Sequence, residues 1–195
     1  MTEKYWSDRL SKLLTDSGCF VQRIESGSTG RGIPDMFVVT PKCVPIWIEN
    51  KVIHPTRNDI RKLESGIECK VKIPWRPGQL AWHDKIHNAI SCLTLTRVAG
   101  SSYVLVTILN TTTGGIRNDL AENIATVKPF NMDSYYGVDN NDTVIMRVDE
   151  IARFITSKNW MRYMTDKERA GLNADRWYYP SKGEYPTENG EYFFL

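Results

Sequence analysis

Two apolar runs on either side of a turn constrain the fold of this chain more than any other stretch. Residues 36–40 read MFVVT, residues 41–42 form a Pro-Lys turn, and residues 44–53 read VPIWIENKVI. Short runs rich in β-branched and aromatic residues, separated by turn formers, predict two paired strands. Because successive side chains of a strand point to opposite faces, Glu49 and Lys51 are expected on one face of the second strand, with a largely apolar face opposite.

The flanking segments predict further helices and strands around this pair. Helical spacing of apolar residues over 5–17 and 78–93 predicts two amphipathic helices, and a shorter helix is expected within the polar connection 54–77. Strands are expected at 19–25, 102–109 and 143–148, and a last helix, capped by Asp149, at 149–156. Residues 110–142 are rich in turn formers. The pattern predicts an α/β fold with a mixed central sheet flanked by helices.

Composition indicates an ordinary globular protein. Hydrophobic residues make up 41% and charged residues 25% of the 195 residues, and the net charge is +2. No apolar run approaches the roughly 18 residues that a membrane helix needs. The polar N-terminus does not resemble a secretory signal, so no membrane association and a cytoplasmic location are expected.

The cysteines and histidines give little support for a zinc site. Four cysteines lie far apart without a C-x-x-C pair, which favours isolated reduced thiols over a disulfide framework. His83 and His87 are one helical turn apart and could hold a metal from one helix face. The pair lacks the glutamate of the H-E-x-x-H motif, so zinc remains the less favoured alternative.

Two carboxylates are expected to meet on the predicted strand pair. Asp35 follows Pro34 at the start of the first strand, and a hairpin register can bring it beside Glu49. Two adjacent carboxylates repel each other unless a cation lies between them, and oxygen ligands favour Mg²⁺ or Mn²⁺. The backbone carbonyl of Asn50 is a further candidate ligand.

Such a metal would activate a water molecule for in-line attack on a phosphodiester. Lys51 would orient the reacting groups, stabilise charge or transfer a proton. A structural salt bridge to the carboxylates is the alternative reading of Lys51.

The residues Pro34-Asp35 and Glu49-Asn50-Lys51 resemble the PD-(D/E)xK nuclease superfamily. The first-helix leucines, the Ser-Gly-Ser loop at 26–28 and the Gly-Ile-Pro-Asp element at 32–35 are similar to the archaeal-type Holliday junction resolvases. The Gly-x-Pro-Asp and Glu-x-Lys elements with a downstream glutamine also resemble the virus-type replication-repair (VRR-NUC) nucleases. The resemblance covers about residues 5–108 and implies a restriction-endonuclease-like core.

The resemblance implies roles for individual residues. Asp35 and Glu49 would bind metal and Lys51 would be the catalytic lysine, while Ser28 and Gln79 correspond to polar residues that these nucleases place near the site. The resolvases carry a metal-associated glutamate on the first helix, and this chain has Ser7 there. Glu3, one turn earlier, is the candidate replacement, and the number of metal ions stays open.

Basic residues crowd around the Glu-x-Lys motif. Between residues 51 and 85 they outnumber acidic ones, which would attract a polyanion. The candidates for DNA contacts are Arg31, Arg57, Lys72 and Arg76.

The predicted domains are a nuclease core at 1–109, an insertion with a closing strand and helix at 110–156, and an aromatic-rich C-terminal extension at 157–195. The extension carries balanced charge, which favours packing or a dimer surface over base stacking.

The expected function is a Mg²⁺-dependent DNA endonuclease, with Mn²⁺ able to substitute, that resolves Holliday junctions in DNA recombination or repair. Symmetric cutting of two strands implies a homodimer on branched or junction DNA. The compact size suits a phage or mobile-element protein. The alternatives are a nuclease for flap, nicked or linear duplex DNA, a catalytically silent DNA-binding protein of the same fold, and an α/β binding domain with a chance motif.

Overall fold

The computed structural model describes residues 1–24, 32–86, 91–109, 118–129 and 143–156, together with the backbone of 184–186 and 192–194. The helices are α1 (Glu3–Asp16), α2 (Arg57–Glu64), α3 (Pro77–Ile86), α4 (Asn118–Ala121) and α5 (Ile151–Thr156), and a 3₁₀ turn spans Val148–Glu150. The strands are β1 (Phe20–Arg23), β2 (Met36–Val39), β3 (Pro45–Ile53), β4 (Cys69–Lys72), β5 (Ser91–Val98), β6 (Tyr103–Ile108), β7 (Ile124–Pro129), β8 (Thr143–Arg147), β9 (Glu184–Pro186) and β10 (Tyr192–Phe194).

Eight of the described strands form one mixed sheet in the order β1-β2-β3-β5-β6-β8-β7-β4. The pairs β3–β5 and β7–β8 are parallel, and the remaining neighbours are antiparallel. This arrangement confirms the expected fold class, a mixed central sheet flanked by helices.

The chain divides into two compact units, residues 1–163 and 164–195. The described part of the second unit is the antiparallel strand pair β9–β10. In the described parts of the chain, no helix combines the length and the apolar character needed to cross a membrane.

Helix α1 covers one face of the sheet. The Thr2 hydroxyl caps it by accepting the Tyr5 N–H, and the chain turns away at Gly18, whose φ is +82°. Trp6, Leu10 and Leu14 recur every fourth residue and are fully buried in one cluster with Ile46, Ile48 and other apolar residues of the sheet. The predicted amphipathic helix is therefore confirmed, and its apolar stripe fixes it over β3 and β5.

A second apolar cluster lies on the other face of the sheet. It contains Ile73, Trp75 and Leu80 from the segment leading into and along α3, together with Leu105 of β6. Strand β3 is therefore covered on both faces, and its polar residues Glu49, Asn50 and Lys51 are buried.

The predicted helix over 78–93 is wrong at residues 91–93. Helix α3 ends at Ile86, and residues 91–98 form β5, which pairs in parallel with β3. Cys92 and Leu93 lie on opposite faces of the sheet and are both fully buried. A strand that is buried on both faces reads as an apolar run without a clear period, so it is easily mistaken for a buried helix.

Strands β4 and β7 of the main sheet were also missed by the sequence analysis, as were β9 and β10 in the C-terminal extension. Strand β4 lies in the segment 54–77, predicted as a polar connection, although the short helix expected there is present as α2. Strand β7, preceded by α4, lies in the turn-rich segment 110–142. In β4 the exposed Lys70 and Lys72 alternate with half-buried residues, and four such residues give too weak an apolar signal to stand out.

The predicted cap by Asp149 is also wrong. Asp149 lies inside the 3₁₀ turn that precedes α5, and its carboxylate pairs with the Arg147 side chain. The Glu150 carboxylate instead accepts the Arg147 backbone N–H at 2.8 Å.

Candidate active site

The β2–β3 pair brings Asp35 beside Glu49. Met36 pairs with Ile48 in antiparallel register, so Asp35, immediately before β2, lies level with Glu49 on β3. The backbone N–H of Asn50 donates to Asp35 Oδ2 at 2.7 Å. The structure therefore places the two carboxylates together, as the hairpin register predicted.

One oxygen of the Glu49 carboxylate carries its protein contacts. Glu49 Oε1 accepts from Lys51 Nζ at 2.6 Å and from Gln79 Nε2. The side chain of Glu49 is 0% exposed and that of Lys51 is 4% exposed. Glu49 Oε2 is buried without a hydrogen-bond partner among the described residues. Since buried polar atoms are nearly always satisfied, this oxygen is available to an additional group.

Burial and mutual repulsion disfavour the simultaneous ionisation of the two carboxylates. Burial first, and then the charge of Asp35, raise the pKa of Glu49 to about 7, although Lys51 opposes the shift. Burial also raises the pKa of Asp35, against the lowering effect of the Asn50 N–H. The negative charge of Glu3 adds to the upward shift of both pKa values. A cation at this position would favour the charged forms and so oppose both shifts.

Gln79 connects the start of α3 to the carboxylate. Pro77 is the first residue of α3, a position that needs no backbone donor. Gln79 Oε1 accepts the Arg76 backbone N–H at 2.9 Å, in the way that a third-position Glu or Gln caps a helix. This bond turns the Nε2 group of Gln79 toward Glu49, so the cap of α3 and the orientation of the carboxylate depend on one side chain.

Gly32 holds the segment before Asp35 against the same helix start. Its φ is +100°, and a Cβ at this position would overlap the carbonyl group of Gly78. Only glycine suits both the backbone conformation and the close approach. The glycine of the Gly-Ile-Pro-Asp element thus fixes the position of Asp35 relative to α3.

Ser7 does not take the place of the expected first-helix glutamate. It is buried on α1, and its Oγ accepts from Asn50 Nδ2 at 3.2 Å. Because Asn50 and Glu49 alternate along β3, Ser7 lies on the face opposite to the Glu49 side chain. Glu3, one turn earlier, is exposed but acts electrostatically on both carboxylates.

Several polar residues near the site were missed by the sequence analysis. Thr94 and Thr96 of β5 pair in register with Glu49 and Lys51, and both are fully buried. Trp75 Nε1 donates to Thr94 Oγ1 at 2.9 Å. The signal that could have found them is the leucine–threonine alternation over residues 93–96, which lies beyond the end of the predicted helix at residue 93.

His83 is a further buried polar residue near the site, and its environment differs from that of a zinc ligand. It lies one helical turn after Gln79, is 0% exposed, and neither ring nitrogen has a partner within the described part of the chain. Burial, with a smaller effect of the Lys51 charge, lowers the pKa of His83 to about 3, so the ring is neutral. His87, its suggested zinc partner, lies outside the described residues.

The candidate DNA-binding residues are exposed where the structure describes them. Arg57 begins α2, Lys72 ends β4, and Arg76 precedes α3. Ser28 and Arg31 lie outside the described residues, so their predicted roles remain predictions.

The donor set fits a hard divalent cation. In the described ranges, no three His, Cys, Asp or Glu side chains are close enough to hold a metal ion by themselves. Mg²⁺, however, is commonly held by one or two carboxylates, with water and substrate phosphate completing its shell. Asp35 and Glu49, with Glu49 Oε2 unpartnered, match that requirement. The Asn50 carbonyl and Glu3 remain predicted ligands.

The site therefore belongs to the class of buried carboxylate pairs with an adjacent lysine on a rigid sheet. No protein-family model and no curated protein matches this chain. Among solved structures it is similar to Hjc of Archaeoglobus fulgidus, a Holliday junction resolvase from an archaeal hyperthermophile. The sequence identity is 9% and the TM-score 0.37, over 57% of this chain and 84% of that chain.

Proposed function

We propose that this chain is a metal-dependent DNA endonuclease that hydrolyses phosphodiester bonds in branched DNA. The observation that carries the proposal is the Glu49 carboxylate beside Asp35. Its Oε1 accepts from Lys51 and Gln79, and its Oε2 has no partner among the residues that the structure describes. Mg²⁺ bound to the two carboxylates would lower the pKa of a coordinated water and stabilise charge on the phosphate, and Mn²⁺ is expected to substitute.

The protein groups have separate tasks in this proposal. Asp35 and Glu49 supply the negative charge that binds the cation. Lys51 stands next to Glu49 and stabilises negative charge that develops on the phosphate oxygens. Gln79 positions Glu49 from the start of α3, so that the carboxylate needs no rearrangement during the reaction.

Branched DNA is the favoured substrate class. The described residues contain no helix-turn-helix or zinc module for reading bases, which favours recognition through phosphates and DNA shape. Resolution of a four-way junction would require two symmetric cuts and hence a homodimer, which sedimentation with and without junction DNA would detect.

The test compares cleavage of a four-way junction, a flap, a nicked duplex and a linear duplex in Mg²⁺ or Mn²⁺. Asp35→Ala and Glu49→Ala are each expected to abolish cutting, whereas Asp16→Asn, at the exposed end of α1, is the matched control and should cut normally. Undiminished cleavage by both alanine variants would exclude this site. A protein that cuts nothing and binds no Mn²⁺ in calorimetry would instead be a silent DNA-binding protein.

A further inference from the structure

A pocket of about 580 Å³ lies at the C-terminal end of β3, past the residues of the candidate active site. Its wall begins at Val52 and Ile53, the residues that follow Lys51 on β3. Ile53 is two residues past Lys51, or about 7 Å along the strand. The rest of the wall comes from the segment between β3 and α3, which contains α2 and β4. Ile53 is four residues past Glu49, so the pocket begins about 13 Å along β3 from the carboxylate pair and is formed mainly by a separate part of the chain.

The charged groups of the pocket are mostly basic. Lys62 of α2 and Lys70 and Lys72 of β4 line it, and in the described part of the chain none of them forms an ion pair. Asp59 is the acidic residue in the wall. Its Oδ2 already accepts from the backbone N–H and the hydroxyl of Thr56 in the cap of α2. The lysines thus leave a net positive pocket that would attract phosphate.

Most of the other lining residues are apolar, with His54 as a further polar one. Ile53, Val71 and Pro74 offer surfaces for a sugar or a base. A volume of 580 Å³ lies in the range of small-molecule sites, roughly 300–1,000 Å³. This size suits one or two nucleotides better than a duplex, whose major groove alone is about 12 Å wide.

We propose that this pocket binds one or two unpaired nucleotides next to the cleavage site, with the lysines on the phosphates and the apolar wall against sugar and base. The inference rests on the proposed nuclease function and specifies its substrate class as DNA with a single-stranded arm. A DNA strand carries a phosphate about every 3.4 Å of helix axis. The pocket therefore lies within a few nucleotides of a phosphate held at Asp35 and Glu49.

The test measures binding by fluorescence anisotropy in EDTA, where no cleavage interferes. The probes are a blunt duplex and the same duplex with a short single-stranded arm. The pocket variant is Lys70→Gln/Lys72→Gln, and the charge-matched control is Lys12→Gln/Lys42→Gln, on α1 and on the turn at the opposite end of β3. Thermal melting verifies that both variants are folded.

The native protein is expected to prefer the armed duplex, and the pocket variant to lose that preference while it binds blunt duplex as before. Loss of two single-strand phosphate contacts should also reduce the salt dependence of log K for the armed probe by about 1.4. Equal weakening on both probes, equal weakening in the control, or no weakening at all would each overturn the proposal. Because the readout is binding and needs no cutting, the pocket proposal can be refuted while the nuclease proposal stands. The nuclease proposal can likewise be refuted by the cleavage assay alone.

Discussion

Replacing Glu49 with glutamine tests the electrostatics of the site directly, because the amide keeps the shape of the protonated carboxyl group. In the metal-free protein, burial and Asp35 raise the pKa of Glu49 from 4.5 to about 7. The folded protein therefore holds a proton over a pH range in which the unfolded chain has released it. The resulting stability is fully present below pH 4.5 and is lost as the pH rises through about 7.

The magnitude follows from these two values. The difference between 4.5 and about 7, at about 1.4 kcal/mol per pKa unit, corresponds to about 3 kcal/mol. Glu49→Gln has no charge to lose at this position. The variant should match the native protein in acid, and at about pH 8 its free energy of unfolding should be higher by about 3 kcal/mol.

The assay is urea unfolding in EDTA across this pH range, with the variant and native curves subtracted. Glu64→Gln on the exposed surface of α2 is the control and should leave the pH dependence of stability unchanged. Added Mn²⁺ should stabilise the native protein more at high pH and should have little effect on the Gln variant. Parallel curves for the native protein and Glu49→Gln would refute the assignment of the raised pKa to Glu49.

Two further substitutions examine the parts that surround the carboxylates. Gly32→Ala should lower the free energy of unfolding for two reasons: the positive φ costs a residue with a Cβ about 1–2 kcal/mol, and the new Cβ would overlap the start of α3. Gly100→Ala, the control, also has a positive φ of +79°, but its Cβ would meet open space, so its loss of unfolding free energy should be smaller. Equal losses of unfolding free energy in the two variants would contradict the close packing of Gly32. Glu3→Gln should weaken Mn²⁺ binding about fivefold, since a neighbouring charge in a solvated setting contributes about 1 kcal/mol. The control is Asp8→Asn, whose native carboxylate pairs with Arg23, and calorimetry should show no such change in its Mn²⁺ affinity. Unchanged Mn²⁺ affinity in Glu3→Gln would show that Glu3 does not act on the site.

The parts of the fold that the sequence predicted well are those with one buried face or a distinct turn. Helix α1 is visible from its repeat of Trp6, Leu10 and Leu14, and the β2–β3 pair from its two apolar runs and intervening turn. Strand β5 was missed because Leu93 continues the helical spacing of the preceding apolar residues and both faces of the strand are buried. Whether β4 forms depends on its pairing with β7, and that pairing is not encoded within four residues.

The candidate site also contains a part that the sequence could predict and a part that it could not. The juxtaposition of Asp35 and Glu49 follows from local strand register, which short-range sequence patterns can predict. The neutral His83 and the two threonines of β5 reach Glu49 and Lys51 only through packing of α3 and β5 on β3. Gln79 both caps α3 and donates a hydrogen bond to the Glu49 carboxylate. This double role depends on the orientation of its amide, which tertiary contacts set.

The pairing of β4 has a consequence for the order in which the molecule assembles. Cys69 of β4 pairs with Val127 of β7, and Val127 pairs in turn with Thr143 of β8. The β2–β3 hairpin needs only nearby residues, so the carboxylates can meet early, whereas the wall built by β4 must wait for distant segments. During synthesis from the N-terminus, the Asp35–Glu49 pair is expected to form before the pocket wall that contains β4.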